Sequence, residues 1–202
     1  MGKNVAAKKK TAPAAPRPKR RSPITRAEGE RRLIEAATEL VKSRPFSEVG
    51  VRDIAELADV NHGFVHNWFG SKNDLLLAVV RTQFRELAEA VRTAEPGRPA
   101  LNFIDPKVTS AVRLVLWLDL EGVDTRGLFD DMPILDALVA RYVEVENIDP
   151  SIAREAAIQA ISIGLGAGMF SPILGMDKPE DFLPVMALWR HIVGLLGKYP
   201  PA

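Results

Sequence analysis

Cysteine is missing from the 202-residue sequence. Its absence excludes disulfide bonds, thiolate metal ligands and a cysteine nucleophile, and it agrees with a reducing compartment. The start of the sequence also lacks the apolar stretch of a secretory signal, because residues 11–21 consist mainly of Ala, Pro, Lys and Arg. We therefore expect a cytoplasmic protein.

Strand-like alternation of β-branched and polar residues is absent over any useful length of the sequence. Apolar residues recur instead at i, i+3 and i+4 throughout, which is typical of helices with one buried face. Hydrophobic side chains make up 47% of the residues, enough for a chain of this length to bury a core. The sequence predicts an all-α globular protein.

The basic residues are concentrated at one end of the chain. The net charge is only +1, but residues 1–21 hold eight Lys or Arg and no acid, so the remainder has 19 basic and 26 acidic residues, a net charge of −7. Few bulky apolar groups occur in this stretch, and we predict that residues 1–23 form a disordered basic arm. Two roles stay open for it: improving solubility, or lying along DNA phosphates or in a minor groove.

Local signals predict the first three helices. Thr25 and Glu28 have the spacing of a capping box, and the helix that they open should end near Ser43, ahead of a proline. A short second helix follows over 51–58, and a third is predicted from His62 to about Trp68. In the turn between them, Asp59 can adopt left-handed geometry and Asn61 can cap the third helix.

The rest of the sequence predicts a second, larger lobe. Ser71 opens a long fourth helix that ends before Pro96-Gly97, a dipeptide typical of a hinge. Further helices are predicted near 107–121, 133–146, 150–170 and 179–198, with a turn or short helix near 127–131. We assign 24–70 to one domain and 71–202 to a second.

Two short helices joined by a tight turn form a helix-turn-helix, whose second helix reads the major groove of DNA. Periodicity alone is weak support, because any small helical bundle has such spacing. Three segments add specificity, namely 51–56 (VRDIAE), 63–69 (GFVHNWF) and 70–76 (GSKNDLL), and together they closely resemble the TetR repressor family over about residues 26–80. The resemblance implies a three-helix DNA-binding lobe, a connecting fourth helix, and a helical lobe for ligand binding and dimerisation.

By the same resemblance, the protein would be a homodimeric transcriptional repressor that a small, apolar effector releases from its double-stranded DNA operator. The positions that match the family's DNA contacts are Arg52, Asn61, His62, Gly63, Phe64, His66, Asn67, Trp68 and Lys72. Amide and imidazole groups can hydrogen-bond to bases, and a lysine at a helix start can bind phosphate. Asp59, Phe64 and His66 depart from the usual family residues, so the base preference is not deduced.

The family layout also suggests two sites in the second lobe. The last two long helices would form a four-helix dimer interface through Ile158, Ile161, Leu165, Met169, Leu188, Ile192 and Leu195. A pocket between the middle helices would bind the effector through Phe103, Leu116, Trp117, Leu120, Phe129, Met132 and Leu135. Apolar residues at helical spacing are more often core than ligand contacts, so these assignments compete with plain packing.

Other functions have weaker support. His62 and His66 have the spacing of two zinc ligands, but no third ligand lies near them in the sequence, so no metal and no cofactor are predicted. Residues 156–176 are apolar, yet interior polar groups and flanking acids favour a buried interface helix over a membrane span. A helical enzyme using Asp119, Glu121 and Asp124 lacks a visible nucleophile, and a dimeric scaffold without DNA binding is the remaining alternative.

Overall fold

A computed structural model describes residues 24–95, 105–128, 131–171, 173–176 and 178–198, without the side chains of 168, 179 and 196–198. The described residues form eight α-helices and two single 3-10 turns, and they contain no strand, so the all-α prediction is confirmed. The helices are α1 Arg26–Ser43, α2 Val51–Leu57, α3 Gly63–Phe69, α4 Lys72–Thr93, α5 Pro106–Leu120, α6 Pro133–Glu144, α7 Pro150–Phe170 and α8 Pro179–Lys198. The 3-10 turns are Phe46–Glu48 and Arg126–Leu128.

Some predicted features fall outside the described residues: the basic arm 1–23, the Pro96-Gly97 hinge, and the predicted pocket residues Phe103 and Phe129. In the part of the chain that is described, no helix combines the length and hydropathy that a bilayer span requires.

Polar side chains fix where the helices begin. The Thr25 hydroxyl accepts a hydrogen bond from the Glu28 amide at 3.3 Å, and the Ser71 hydroxyl accepts one from the Asp74 amide at 3.1 Å. Asp149 caps α7 ahead of a first-turn proline, as predicted. Asp105 does the same for α5, which begins one residue earlier than predicted for that reason.

The helices pack around two hydrophobic cores. The N-terminal core joins α1, α2, α3 and the first half of α4, and α5 closes it with the fully buried Leu114 and Leu118. The C-terminal core joins the end of α4, from Ala88 onward, to α6, α7 and α8. Helix α4 therefore belongs to both cores, and a domain limit at residue 70 stays a prediction.

A buried arginine ties the end of α4 to the C-terminal core. Arg141 of α6 donates to the carbonyl oxygens of Ala94 at 2.6 Å and Glu95 at 2.9 Å. Its guanidinium also pairs with Glu146 at 3.4 Å, and Glu146 pairs with Arg190 of α8 at 3.3 Å. Since carbonyls at a helix end lack partners within the helix, this cation anchors the end of α4.

Candidate DNA-binding surface and ligand cavity

The turn between α2 and α3 sets the position of α3. Asp59 has φ = 53°, the left-handed conformation predicted for it, and the next residue, Val60, is buried. The Asn61 side-chain oxygen accepts a hydrogen bond from the Gly63 amide at 2.9 Å. Helix α3 begins at Gly63 with His62 as its N-cap residue, one position later than predicted, so Asn61 orders the turn ahead of the cap. Ala55 of α2 and Ala58, the residue after this helix, are both buried in the N-terminal core.

The outer surface of α3 carries most of the predicted DNA contacts. Asn61, His62, His66 and Asn67 are exposed, whereas Val65 is fully buried and holds the helix on the core. The polar groups that could hydrogen-bond to base edges are therefore presented together on one short helix and its leading turn.

The His66 side chain makes a hydrogen bond that indicates which of its ring nitrogens carries the proton. Its Nδ1 lies 3.1 Å from the carbonyl oxygen of Gly70, which occupies a positive-φ position after α3. Because a carbonyl oxygen only accepts, Nδ1 must carry the proton and donate. In the neutral ring Nε2 is then an acceptor, suited to an exocyclic amino group of adenine or cytosine.

Trp68 has a packing role that we did not predict. Its ring stacks on Phe64 with centroids 4.4 Å apart and planes 8° apart, and both side chains are half-buried. A Cβ atom on Gly29 of α1 would collide with Cη2 and Cζ3 of the indole. A glycine inside a helix costs about 1 kcal/mol relative to alanine, so Gly29 was the sequence signal of this close approach.

Lys72 lies at the first residue of α4, close to the loop before α2. Its ammonium donates to the carbonyl oxygen of Val49 at 3.1 Å and lies 5.4 Å from the centroid of the Trp117 ring. Arg52, the remaining predicted contact, is exposed on α2. The structure thus places the predicted contacts along α2, α3 and the start of α4, with Trp68 and Phe64 turned partly into the lobe.

A cavity of about 110 Å³ lies between α4, α5, α6 and α7. The described residues that line it are all apolar: Phe84, Leu87, Val108, Val112, Leu128, Met132, Pro133, Ile134, Leu135, Ile161 and Leu165. An engineered apolar cavity of roughly 150 Å³ holds benzene, so this space suits a small apolar molecule.

The cavity changes the predicted pocket lining. Met132 and Leu135 line it, but Leu116 is exposed and Leu120 is 85% exposed at the end of α5. Trp117 packs instead against Phe46, with ring centroids 5.9 Å apart, in the N-terminal core. Helical periodicity predicted that Leu116, Trp117 and Leu120 share an apolar helix. It did not indicate which part of the protein each side chain would pack against.

Exposed apolar side chains are concentrated on α7, α8 and the segment between them. Of the residues predicted for the dimer interface, Ile158, Leu165, Leu188, Ile192 and Leu195 are exposed, and Met169 is half-buried. Ile161 and Leu165 also line the cavity. The same two helices and the segment between them carry further exposed residues that we did not predict: Phe170, Ile173, Leu174, Leu183 and Val185.

Comparisons with known proteins agree with this architecture. Residues 33–79 match the bacterial regulatory proteins of the tetR family. An HTH-type transcriptional repressor of Mycobacterium tuberculosis, Rv3405c, is 30% identical over 177 residues that cover 83% of this chain and 88% of the relative. The HTH-type transcriptional regulator BetI of Burkholderia thailandensis is 26% identical over 187 residues, covering 81% and 91%.

Solved structures show the same fold at lower identity. The multidrug binding protein EbrR, crystallised with imidazole, aligns with a TM-score of 0.58 at 18% identity and covers 83% of this chain and 93% of its own. The repressor AlkX of a Dietzia strain aligns with a TM-score of 0.51 at 21% identity, covering 84% and 94%.

A helix-turn-helix on a three-helix lobe, joined by a long helix to a second helical lobe, defines a DNA-binding transcriptional regulator. The chain belongs to the TetR family of bacterial regulatory proteins. This membership favours gene regulation over the enzyme and scaffold alternatives.

Proposed function

We propose that the protein is a homodimeric repressor whose two α3 helices bind an operator and which a small apolar molecule, bound in the cavity, releases from DNA. The observation that carries the proposal is the position of the cavity. Its lining includes Phe84 and Leu87 of α4, the same helix whose first residue, Lys72, lies beside α3. A ligand there touches the element that positions the DNA-binding surface.

Dimerisation is supported by the apolar surface of α7 and α8. Contiguous exposed apolar side chains on a soluble domain are a common sign of a protein interface. A two-fold axis through this surface would pair the two helices with their mates as a four-helix bundle. Dimers of helix-turn-helix proteins read half-sites about 34–36 Å apart, one turn of DNA.

The DNA contacts divide into two groups by chemistry. Asn67, His66 and Asn61 can hydrogen-bond to bases, and an amide pairs well with the N6 and N7 atoms of adenine. Lys72 and Arg52 bring cationic charge that binds phosphate without reading sequence. The stacked Phe64 and Trp68 hold α3 on its lobe, and the exposed edge of Phe64 suits a thymine methyl group.

The proposed release requires a ligand that binds the DNA-free arrangement better than the DNA-bound one. The cavity walls carry apolar groups, so a charged ligand would lose its hydration there with no compensating partner among the described lining residues. We therefore expect the effector to be a small neutral hydrocarbon or aromatic molecule.

The central experiment selects genomic DNA fragments bound by the full-length protein and measures their affinity by gel shift. We expect a palindromic operator, and we expect Asn67→Ala to weaken operator binding more than binding to unrelated duplex. Equal losses on both duplexes would contradict a base-reading role for α3.

A second experiment tests the effector site with benzene as the probe. Benzene should raise the melting temperature of the free protein and weaken its operator complex. Ile134→Trp fills the cavity from α6, away from the proposed dimer interface, and should abolish both effects while retaining DNA binding. A benzene response that survives in Ile134→Trp would place the effector elsewhere.

A further inference from the structure

Three side chains from distant parts of the sequence meet beside the N-terminal core. Phe46 comes from the 3-10 turn after α1, Lys72 from the start of α4, and Trp117 from α5. The Trp117 ring lies 5.9 Å from the Phe46 ring at an interplanar angle of 58°, and 5.4 Å from the Lys72 ammonium. An ammonium within about 6 Å of an indole centroid is attracted by the negative face of the ring.

These contacts restrict a side chain that is otherwise very mobile. A free lysine has roughly 2 kcal/mol of rotamer entropy, which binding to a phosphate must overcome. The Val49 carbonyl accepts one of the three N–H donors of Lys72, and the Trp117 ring attracts the charge from another direction. The remaining donors stay available to an anion while the position of the ammonium is already set.

The position of the Trp117 ring depends on α5. Leu114 and Leu118, on either side of it in the sequence, are fully buried in the N-terminal core, so the ring cannot shift without the helix. Nearer its start, the same helix lines the cavity with Val108 and Val112. The residue that orders Lys72 is therefore carried by a helix that also contacts the cavity.

We propose that Trp117 is a positioning residue for DNA binding: its indole holds the Lys72 ammonium at the start of α4, ready for a DNA phosphate. This inference rests on the proposed phosphate contact of Lys72. It assigns to α5 a direct effect on the DNA-binding surface, separate from any movement of α4.

The experiment measures binding of the full-length protein to a duplex without operator sequence, over a series of salt concentrations. Trp117→Leu should weaken binding at low salt about two- to fivefold, the equivalent of roughly 0.5–1 kcal/mol, which is the lower end of the range for a cation–π contact. Trp117→Phe keeps an aromatic face and should retain most of the duplex affinity of the parent protein. Leu116→Ala, at the exposed neighbouring position on α5, is the matched control and should bind as the parent protein does.

A double variant separates positioning from simple packing. Lys72→Met should weaken binding and reduce the salt slope by about 0.9, the value for one lost phosphate contact. Adding Trp117→Leu to Lys72→Met should cause no further loss, because the ring has no ammonium left to position. A further loss equal to that in the parent background would show that the ring acts through packing, and would overturn the proposal.

The outcome also distinguishes this inference from the proposed function. If Lys72→Met leaves the duplex affinity and the salt slope unchanged, Lys72 binds no phosphate, and the positioning role of Trp117 is refuted. That result would not contradict the proposed binding of DNA by α3. If Lys72→Met weakens binding but Trp117→Leu does not, only the role of Trp117 is refuted. Melting temperatures of Trp117→Phe and Trp117→Leu, measured in parallel, identify any variant whose loss comes from unfolding.

Discussion

Replacing Gly29 by alanine should destabilise the DNA-binding lobe, although alanine is the better helix former. Gly29 is the fourth residue of α1, where the change favours the helix by at most about 1 kcal/mol. The added Cβ, however, collides with the indole of Trp68, whose ring is stacked on Phe64. Overpacking of this kind costs about 1–3 kcal/mol, so we expect a net loss of up to about 2 kcal/mol.

The test is a comparison of two backgrounds by denaturant unfolding at a fixed protein concentration. In the parent protein, Gly29→Ala should lower the free energy of unfolding. In a Trp68→Leu background the indole is absent, and the same change should raise it by up to about 1 kcal/mol because only the helix propensity remains. A stabilising Gly29→Ala in the parent would refute the close packing of α1 on α3.

Three further predictions concern charge and assembly. Deleting residues 2–21 removes eight basic residues and should weaken duplex binding, with the salt slope falling by about 0.9 for each arm cation that contacts a phosphate; an unchanged slope would assign the arm to solubility. Leu188→Glu should shift the dimer toward monomer in light scattering, because the exposed leucine lies on the proposed α7–α8 interface. The control Leu120→Glu, at an exposed site on α5, should leave the measured mass unchanged. Asp59→Asn keeps a residue that tolerates φ = 53°. It should raise duplex affinity about two- to fivefold at low salt, as expected for removal of roughly 0.5–1 kcal/mol of repulsion between the carboxylate and DNA phosphates. A gain in affinity that persists at high salt would exclude an electrostatic cause.

Features that depend on neighbours in the sequence were predictable. Thr25, Ser71 and Asp149 cap helices through hydrogen bonds to residues two or three positions away, so their roles follow from the sequence. Asp59 and Asn61 likewise set the turn before α3 through their own backbone preferences and side-chain length. The helix-turn-helix was therefore predicted with its turn geometry.

Contacts between distant residues were not predictable from the same patterns. Trp117 and Leu120 lie on one apolar helix, yet the first packs on Phe46 and the second is exposed, because the outcome depends on where α1 and α4 pass. Trp68 was assigned to DNA, while the structure shows its ring against Gly29, 39 positions earlier. Periodicity identifies the buried face of a helix but not its partner.

Because Arg141 anchors the C-terminal end of α4, the rest of that helix can rotate about this end. Its C-terminal end is fixed to α6 at Ala94, and the cavity residues Leu87 and Phe84 lie roughly 10–15 Å from that pivot at a rise of 1.5 Å per residue. The Lys72 end lies about 33 Å from the same pivot by the same rise. A ligand that pushes the helix aside at the cavity by about 1 Å would thus displace its DNA-proximal end by roughly 2–3 Å. In a two-fold dimer both ends would move, and the spacing of the two α3 helices would then differ from that of successive turns of DNA.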